Sequence, residues 1–170
     1  MKKILVLNGS PRKNGKTASL VRAFVEGAKS AGNEVRELYI DGMDIASCKA
    51  CEACSRNGGF CVQKDDMQQV DDAYLWADVV VFASPMYWGT VSGQLKVVVD
   101  RLYAMQRRYG FGNPDAVKEC AFIMTARGSY YGQALDFYHI FTQIMGWKDW
   151  GCVLSAGKED EARAMGAAIG

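Results

Sequence analysis

The chain has 170 residues, of which 49% are apolar and 23% charged, and its formal net charge at pH 7 is +1. This length and composition are typical of one globular domain that buries its own core. No block of like charges and no apolar run of about 20 residues occurs, so we expect no nucleic-acid partner, no membrane partner and a cytoplasmic location.

The first half of the chain alternates between strand and helix patterns. Residues 3–9 (KILVLNG) form a short apolar run that ends in a turn-forming Asn-Gly pair, which predicts a buried strand. Apolar residues at helical spacing predict a helix over 16–31, and a second strand is expected over 33–40. A cysteine-rich loop at 47–64 follows, and a helix is predicted over 65–76.

The second half continues this alternation. Apolar runs predict three more strands, at 78–85, 120–126 and 151–157. Helical patterns cover 90–105, 133–145 and 159–168, and Thr90 is the expected N-cap of the first of these helices.

The resulting order, βαβαβαβαβα, predicts an α/β fold with right-handed crossovers and helices on both faces of a parallel sheet. Five strands suit the flavodoxin-like order 2-1-3-4-5, a three-layer sandwich, and we expect residues 1–170 to form a single domain of this kind. Ligands bind such sheets at the carboxyl ends of the strands beside the switch point. The loops after strands 1, 3 and 4 are therefore the candidate site.

The loop after strand 1, GSPRKNGKT (9–17), is close to a nucleotide-binding P-loop. A P-loop has four residues between Gly and Gly-Lys-Ser/Thr, whereas five separate Gly9 from Gly15 here. An NTPase also needs a magnesium-binding acid after a second strand, and strand 78–85 ends in Ser84-Pro85 instead. We therefore expect a different phosphate site, in which backbone N–H groups at a helix start bind the anion.

The other two loops offer apolar and adaptable surface beside this phosphate site. SPMYWGT (84–90) places Met86, Tyr87 and Trp88 at a strand end, where a purely structural loop is usually polar. This surface suits a planar heterocycle, although packing of the aromatics under a neighbouring loop or subunit is the alternative. TARGSYYG (125–132) has glycines and hydroxyls whose backbone could bond a ring edge.

These three stretches, together with the longer segment SPMYWGTVSGQLKVVVDR (84–101), resemble the flavodoxin-like NADPH-dependent FMN reductase family. The resemblance implies bound FMN, with NAD(P)H as an electron donor and with no side chain acting as catalytic acid or base. It implies three groups of FMN-binding residues: around the phosphate Ser10, Arg12, Asn14, Gly15, Lys16 and Thr17; beside the isoalloxazine ring Pro85, Met86, Tyr87, Trp88 and Gly89; at the other ring edge Ala126, Arg127 and Gly128. It further implies a homodimer or homotetramer that exchanges electrons with a small-molecule or protein partner.

Four of the six cysteines lie within fourteen residues, at Cys48, Cys51, Cys54 and Cys61. Clustered thiols in a reducing compartment indicate metal or redox chemistry rather than structural disulfides. The tight Cys-x2-Cys-x2-Cys-x6-Cys spacing is similar to that of the iron–sulfur flavoproteins, which implies a 4Fe–4S cluster on these four residues. Redox thiols without a cluster and a zinc site remain alternatives.

Three functions are consistent with these features. The first is an FMN oxidoreductase that transfers electrons through FMN and an adjacent 4Fe–4S cluster. The second is an NAD(P)H-dependent FMN or quinone reductase without a cluster. The third is a zinc-stabilised binding module without flavin.

Overall fold

The sheet of this protein has the predicted order. The computed structural model describes residues 1–110 and 118–170, and within them five strands form one sheet in the order β2-β1-β3-β4-β5. All neighbouring strands are parallel. The strands are β1 (Lys3–Asn8), β2 (Glu34–Tyr39), β3 (Val79–Pro85), β4 (Glu119–Thr125) and β5 (Lys148–Leu154). The flavodoxin-like α/β fold is confirmed.

Helices cover both faces of this sheet. They are α1 (Lys16–Ser30), α2 (Met67–Trp76), α3 (Gly93–Arg101), α4 (Tyr103–Tyr109), α5 (Gly132–Met145) and α6 (Glu159–Ala168). Helices α1 and α6 pack on one face, and the core on the opposite face draws on α2 to α5. No helix in the described parts of the chain has both the length and the apolar content to cross a membrane.

The apolar runs of the central strands follow from this two-sided cover. In β1, Ile4 and Val6 enter the core under α1 and α6, whereas Leu5 and Leu7 enter the core on the other face. Successive side chains of a strand point to opposite faces, so a strand covered on both faces must be apolar at every position.

The region predicted as one helix over 90–105 differs from the prediction. It contains two helices, α3 and α4, and the N-cap is Ser92 rather than Thr90, since the Ser92 side chain accepts a hydrogen bond from the Leu95 N–H at 3.3 Å. Thr90 is instead part of a tight turn, in which its N–H and C=O both bond to the backbone of Tyr87. The helix can begin only after this turn closes.

The last strand also differs from its predicted bounds, because β5 runs over Lys148–Leu154 and not over 151–157. It lies at the edge of the sheet, where polar residues such as Lys148 and Asp149 remain exposed. An edge strand therefore lacks the continuous apolar run by which a buried strand is recognised. Beyond Leu154 the backbone turns at Ser155 and Gly157, whose φ angles are +85° and +81°.

Candidate functional site

A cleft of about 750 Å³ opens at the carboxyl ends of β1, β3 and β4, the edge at which the fold places ligands. Its lining comes from all three loops singled out in the sequence: Ser10, Arg12, Gly15, Lys16, Thr17, Pro85, Met86, Tyr87, Trp88, Thr125, Ala126 and Arg127. Of the residues that the family resemblance implied, only Asn14, Gly89 and Gly128 are absent from this lining. Thr125 lines the cleft although it was not in that set.

One end of the cleft is suited to an anion. Gly15 precedes α1 in an extended conformation, and no side chain caps the helix there. The first N–H groups of a helix lack intrahelical partners and carry the positive end of its dipole. Arg12 and Lys16 lie beside this helix end with exposed side chains. Backbone donors, a helix dipole and two cations therefore converge on one position.

Asn8 holds the loop that presents these donors. Its buried side chain accepts a hydrogen bond from the Ser10 N–H at 3.0 Å and donates one to Glu37 Oε1 at 2.8 Å. The Ser10 hydroxyl in turn accepts from the Arg12 N–H at 3.2 Å. Sequence reasoning missed Asn8, because its partner Glu37 lies on the neighbouring strand β2.

A second set of contacts fastens the same loop to α3. The Ser92 hydroxyl donates to the Gly9 carbonyl at 2.7 Å, and the Ser92 N–H donates to Ser84 Oγ at 2.8 Å. A Cβ atom on Gly9 would lie 2.6 Å from Leu95 Cβ, which is too close for any ordinary contact. Glycine at this position is therefore required by the close approach of α3.

Thr17 and Thr125 form a hydroxyl pair inside the cleft. Both side chains are buried, and their Oγ1 atoms lie 2.6 Å apart. Each hydroxyl has one hydrogen, so one threonine donates to the other and the second hydrogen remains available to a ligand. The pair joins the start of α1 to the end of β4.

The opposite side of the cleft has a flat, partly apolar wall. Met86 is half-buried, and its N–H donates to the Thr125 carbonyl at 2.8 Å. Trp88 and Gly89 occupy the tight turn with φ angles of +50° and +83°. This turn leaves Trp88 fully exposed and Tyr87 44% exposed. A positive φ is uncommon for a tryptophan, so the turn holds the indole at the mouth of the cleft at some conformational cost.

The four clustered cysteines line a second cavity, of about 540 Å³. Cys48 and Cys51 are exposed, Cys54 and Cys61 are half-buried, and all four are free thiols. The opposite wall is mostly apolar and is formed by α3, α4 and α5. In the part of the chain that the structure describes, no three His, Cys, Asp or Glu side chains are close enough to hold one metal ion.

Arg101, at the end of α3, lines this second cavity with only 1% of its side chain exposed. Its Nη1 atom donates to the Ala46 carbonyl at 2.8 Å and to Asp65 Oδ2 at 2.6 Å, and its Nη2 atom donates to Asp65 Oδ1 at 3.0 Å. The hydrogen bonds from Arg101 hold the pKa of Asp65 below its usual value. Asp71 is half-buried, its Oδ1 has no hydrogen bond among the described residues, and burial raises its pKa to about 6.

The two remaining cysteines lie on β4 and β5. Cys120 is fully buried, and the Tyr138 hydroxyl lies 3.3 Å from its sulfur while donating to Asp149 Oδ1 at 2.5 Å. Burial raises the pKa of the Cys120 thiol to about 12, and the pKa of half-buried Cys152 rises to about 12 for the same reason. Both thiols therefore stay protonated and are poor nucleophiles at neutral pH.

Comparison with known proteins gives a family match over most of the chain. Residues 2–156 match the NADPH-dependent FMN reductase family. An iron-sulfur flavoprotein of Methanosarcina thermophila is 38% identical over 106 residues, which cover 62% of this chain and 55% of that protein. An iron-sulfur flavoprotein of Methanocaldococcus jannaschii is 37% identical over 103 residues, or 61% of this chain and 52% of that protein. The matched part of this chain thus spans about half the length of these relatives.

Solved structures with the same fold have little sequence identity to this chain. The NAD(P)H:quinone oxidoreductase from Methanothermobacter marburgensis superposes with a TM-score of 0.74 at 16% identity and covers 99% of both chains. The FMN-dependent NADH-azoreductase from Bacillus anthracis has a TM-score of 0.67 at 15% identity, over 98% of this chain and 94% of that chain. These likenesses support the fold.

Proposed function

Because the chain belongs to the NADPH-dependent FMN reductase family, we propose that it is an oxidoreductase that binds FMN in the cleft at the ends of β1, β3 and β4. One observation carries this proposal: the cleft combines an anion site at one end with an aromatic and thioether wall at the other. FMN has a matching form, with a single phosphate joined to a planar ring. The cleft volume of about 750 Å³ is also within the usual range for small-molecule sites.

In this proposal the phosphate lies against the start of α1. The first-turn N–H groups and the remaining hydrogen of the Thr17–Thr125 pair would donate to its oxygens, and Arg12 and Lys16 would balance its charge. Ser10 shapes the loop through its bonds to Asn8 and Arg12. Asn14 is outside the cleft lining, so its role in binding rests on the family resemblance alone.

The isoalloxazine ring would lie between the 85–89 loop and the 126–128 loop. Pro85, Met86, Tyr87 and Trp88 offer the flat surface, and Ala126 and Arg127 border the opposite edge. Gly89 and Gly128 would act through loop shape, since neither lines the cleft. Bound FMN would supply the hydride and electron chemistry, and the protein would bind and orient it and exclude water from one ring face. NAD(P)H is the proposed electron donor, and the family name gives NADPH.

We further propose that Cys48, Cys51, Cys54 and Cys61 bind a 4Fe–4S cluster. All four thiols border one cavity, and its apolar far wall would limit solvent access. Cys thiolates are the usual ligands of 4Fe–4S clusters, so these four residues would hold the cluster, and it would supply one-electron transfer. The relatives named iron-sulfur flavoproteins lend support.

The second candidate is an NAD(P)H-dependent FMN or quinone reductase in which the four cysteines are free thiols. The exposure of Cys48 and Cys51 favours this alternative, because exposed thiols can be oxidised reversibly. Both candidates share the FMN cleft. They differ only in what the cysteine cavity contains.

The test is the absorption spectrum and the flavin, iron, sulfide and zinc content of protein purified without oxygen. We expect released FMN at one per chain, with four irons and four sulfides. FMN without iron would support the reductase, and zinc without FMN would support a binding module and refute the proposal.

We also propose that the protein works as a homodimer or homotetramer and exchanges electrons with a small-molecule or protein partner. The exposed aromatic side chains of Trp88 and Tyr130 near the cleft support a contact there. Light scattering coupled to gel filtration would give the oligomer mass. A Trp88→Ala variant should assemble more weakly, and a monomeric wild-type protein would contradict the proposal.

A further inference from the structure

The cysteine loop, residues 47–64, is closed at its two ends, and in its middle the buried Gly59 packs closely against Arg108 of α4. The Ala46 N–H donates to Asp65 Oδ2 at 3.1 Å, and the Gln63 side chain donates to the Ser47 carbonyl at 3.1 Å. Within the loop, the four cysteines are exposed or half-buried. The positions of Cys48 and Cys61, which lie near the two ends, therefore depend on how firmly residues 46 and 65 are held together.

Arg101 makes this connection from the body of the protein. It reaches the Ala46 carbonyl with Nη1 and the Asp65 carboxylate with both Nη atoms. Ala46 is 55 residues and Asp65 is 36 residues before it in the chain. One buried guanidinium thus fastens both ends of the cysteine loop to α3, in the paired geometry that only arginine offers a carboxylate.

Arg101 has a further hydrogen-bond donor, Nε, which takes no part in these bonds. Its Nε atom is buried and has no hydrogen-bond partner among the described residues. A buried donor without a partner destabilises the folded state, so it calls for an explanation in a native structure. Arg101 lines the same cavity as the four thiols, so a sulfur atom in that cavity is the acceptor that would explain the unpaired Nε donor.

Cys61 lines the same cavity as Arg101. The guanidinium of an arginine stays protonated in proteins, and the bonds of both Nη atoms to the Asp65 carboxylate stabilise its charge in this buried position. The guanidinium therefore remains charged beside the thiols. A buried cation stabilises whatever negative charge the cavity holds, because the surrounding dielectric is low.

We propose that Arg101 is the positioning residue of the cysteine cavity, holding both loop ends with its Nη atoms and donating its Nε hydrogen to a sulfur atom bound in the cavity. This inference rests on the proposed 4Fe–4S cluster. Cluster potentials respond to net charge, to hydrogen bonds at the sulfurs and to solvent exposure, and the added electron makes the reduced form more negative. The Arg101 charge and its hydrogen bond should both favour that form and raise the midpoint potential.

The test compares the midpoint potentials of the wild-type protein and its variants. Each protein is loaded with FMN, iron and sulfide in the absence of oxygen. It is then titrated, and the reduced cluster is followed by electron paramagnetic resonance. Arg101→Gln should shift the potential to more negative values. Asp65→Asn should shift it to more positive values, because the counter-charge of the arginine is lost. Arg107→Gln is the matched control: it removes the same charge from an exposed side chain outside the cavity lining, and its potential should equal that of wild type.

Several outcomes would overturn the proposal. A fully loaded Arg101→Gln variant with the wild-type potential would refute the role of Arg101 and leave the cluster intact. Shifts of the same sign in Arg101→Gln and Asp65→Asn would show that both act only by loosening the loop. A wild-type protein that binds no iron would refute the cluster and this inference together, and the iron content separates that case from the other two.

Arg101→Gln leaves the Asp65 carboxylate without its partner, which is strongly destabilising for a buried pair, so a second variant is needed in case it does not fold. Arg101→Lys retains the charge but has neither the forked geometry nor the Nε hydrogen. We expect a smaller negative shift of the potential and faster hydrogen exchange over residues 46–65. If Arg101→Lys matches wild type in both measurements, the proposal is wrong.

Discussion

The hydroxyl oxygens of Thr17 and Thr125 lie 2.6 Å apart, although 108 residues separate them in the chain. Thr17 belongs to the first turn of α1 and Thr125 is the last residue of β4. Their pairing joins two of the three loops that line the cleft, so a change at either residue also affects the position of the other.

The first prediction concerns this pair. Thr17→Val and Thr125→Val should each raise the Kd for FMN by about 5- to 30-fold, equivalent to one lost hydrogen bond and its unpaired neighbour. Quenching of FMN fluorescence during titration with the apoprotein measures this Kd. Thr90→Val is the control, because Thr90 does not line the cleft, and an unchanged Kd in both cleft variants would contradict the phosphate assignment.

The second prediction tests the charge at the anion end of the cleft. Arg12→Ala should weaken FMN binding by about 10- to 100-fold, the value of one charge-assisted hydrogen bond. Binding of riboflavin, which has no phosphate, should change little. Lys13→Ala is the matched control, since this exposed lysine of the same loop lies outside the cleft lining and over the Tyr39 ring. Equal losses for FMN and riboflavin would place Arg12 at the ring instead.

The third prediction concerns the close approach of α3 to the loop after β1. Gly9→Ala should lower the free energy of unfolding by about 1–3 kcal/mol, because the added methyl group overlaps Leu95 and the backbone must shift. Urea denaturation monitored by circular dichroism gives this value. Gly93→Ala, where no atom lies within 4 Å of the added Cβ, should be neutral or stabilising. A neutral Gly9→Ala would mean that the loop adapts without cost.

The fourth prediction concerns the pH dependence of stability. The folded-state pKa of Asp71 is about 6 against an ordinary value of 3.8, and burial is the main cause. The folded state therefore binds the proton more tightly, so Asp71 makes the protein less stable as pH rises from about 4 to 6. Asp71→Asn should increase the free energy of unfolding at pH 7 by about 1–3 kcal/mol and have little effect at pH 4.

Denaturation at both pH values measures the free energy of unfolding, and Asp136→Asn, at an exposed aspartate of α5, is the control. Asp65 should behave in the opposite way, because its pKa is lowered by the hydrogen bonds from Arg101. Its contribution to stability is present above pH 4 and is lost as pH falls below that value. Equal effects of Asp71→Asn at pH 4 and pH 7 would show that desolvation of Asp71 is unimportant.

The sequence alone predicted the fold, which the structure confirms, and the position of the candidate site. A short run of consecutive apolar residues, such as Ile4 to Leu7, favours a strand covered on both faces, and strands alternating with helices lead to a parallel sheet. That sheet brings the loops after β1, β3 and β4 to one edge. The departure of 9–17 from P-loop spacing and the four-cysteine pattern were equally visible in the residues themselves.

Only the tertiary structure decided which side chains meet. The Asn8 side chain donates to Glu37 on another strand. Ser92 replaces Thr90 as the N-cap, because a turn occupies residues 87–90. Arg101 joins both ends of the cysteine loop. The polar start of β5 is also explained only by its edge position. Such contacts depend on strand register and helix packing, which place residues far apart in the chain within hydrogen-bond distance. Local sequence patterns do not encode those distances.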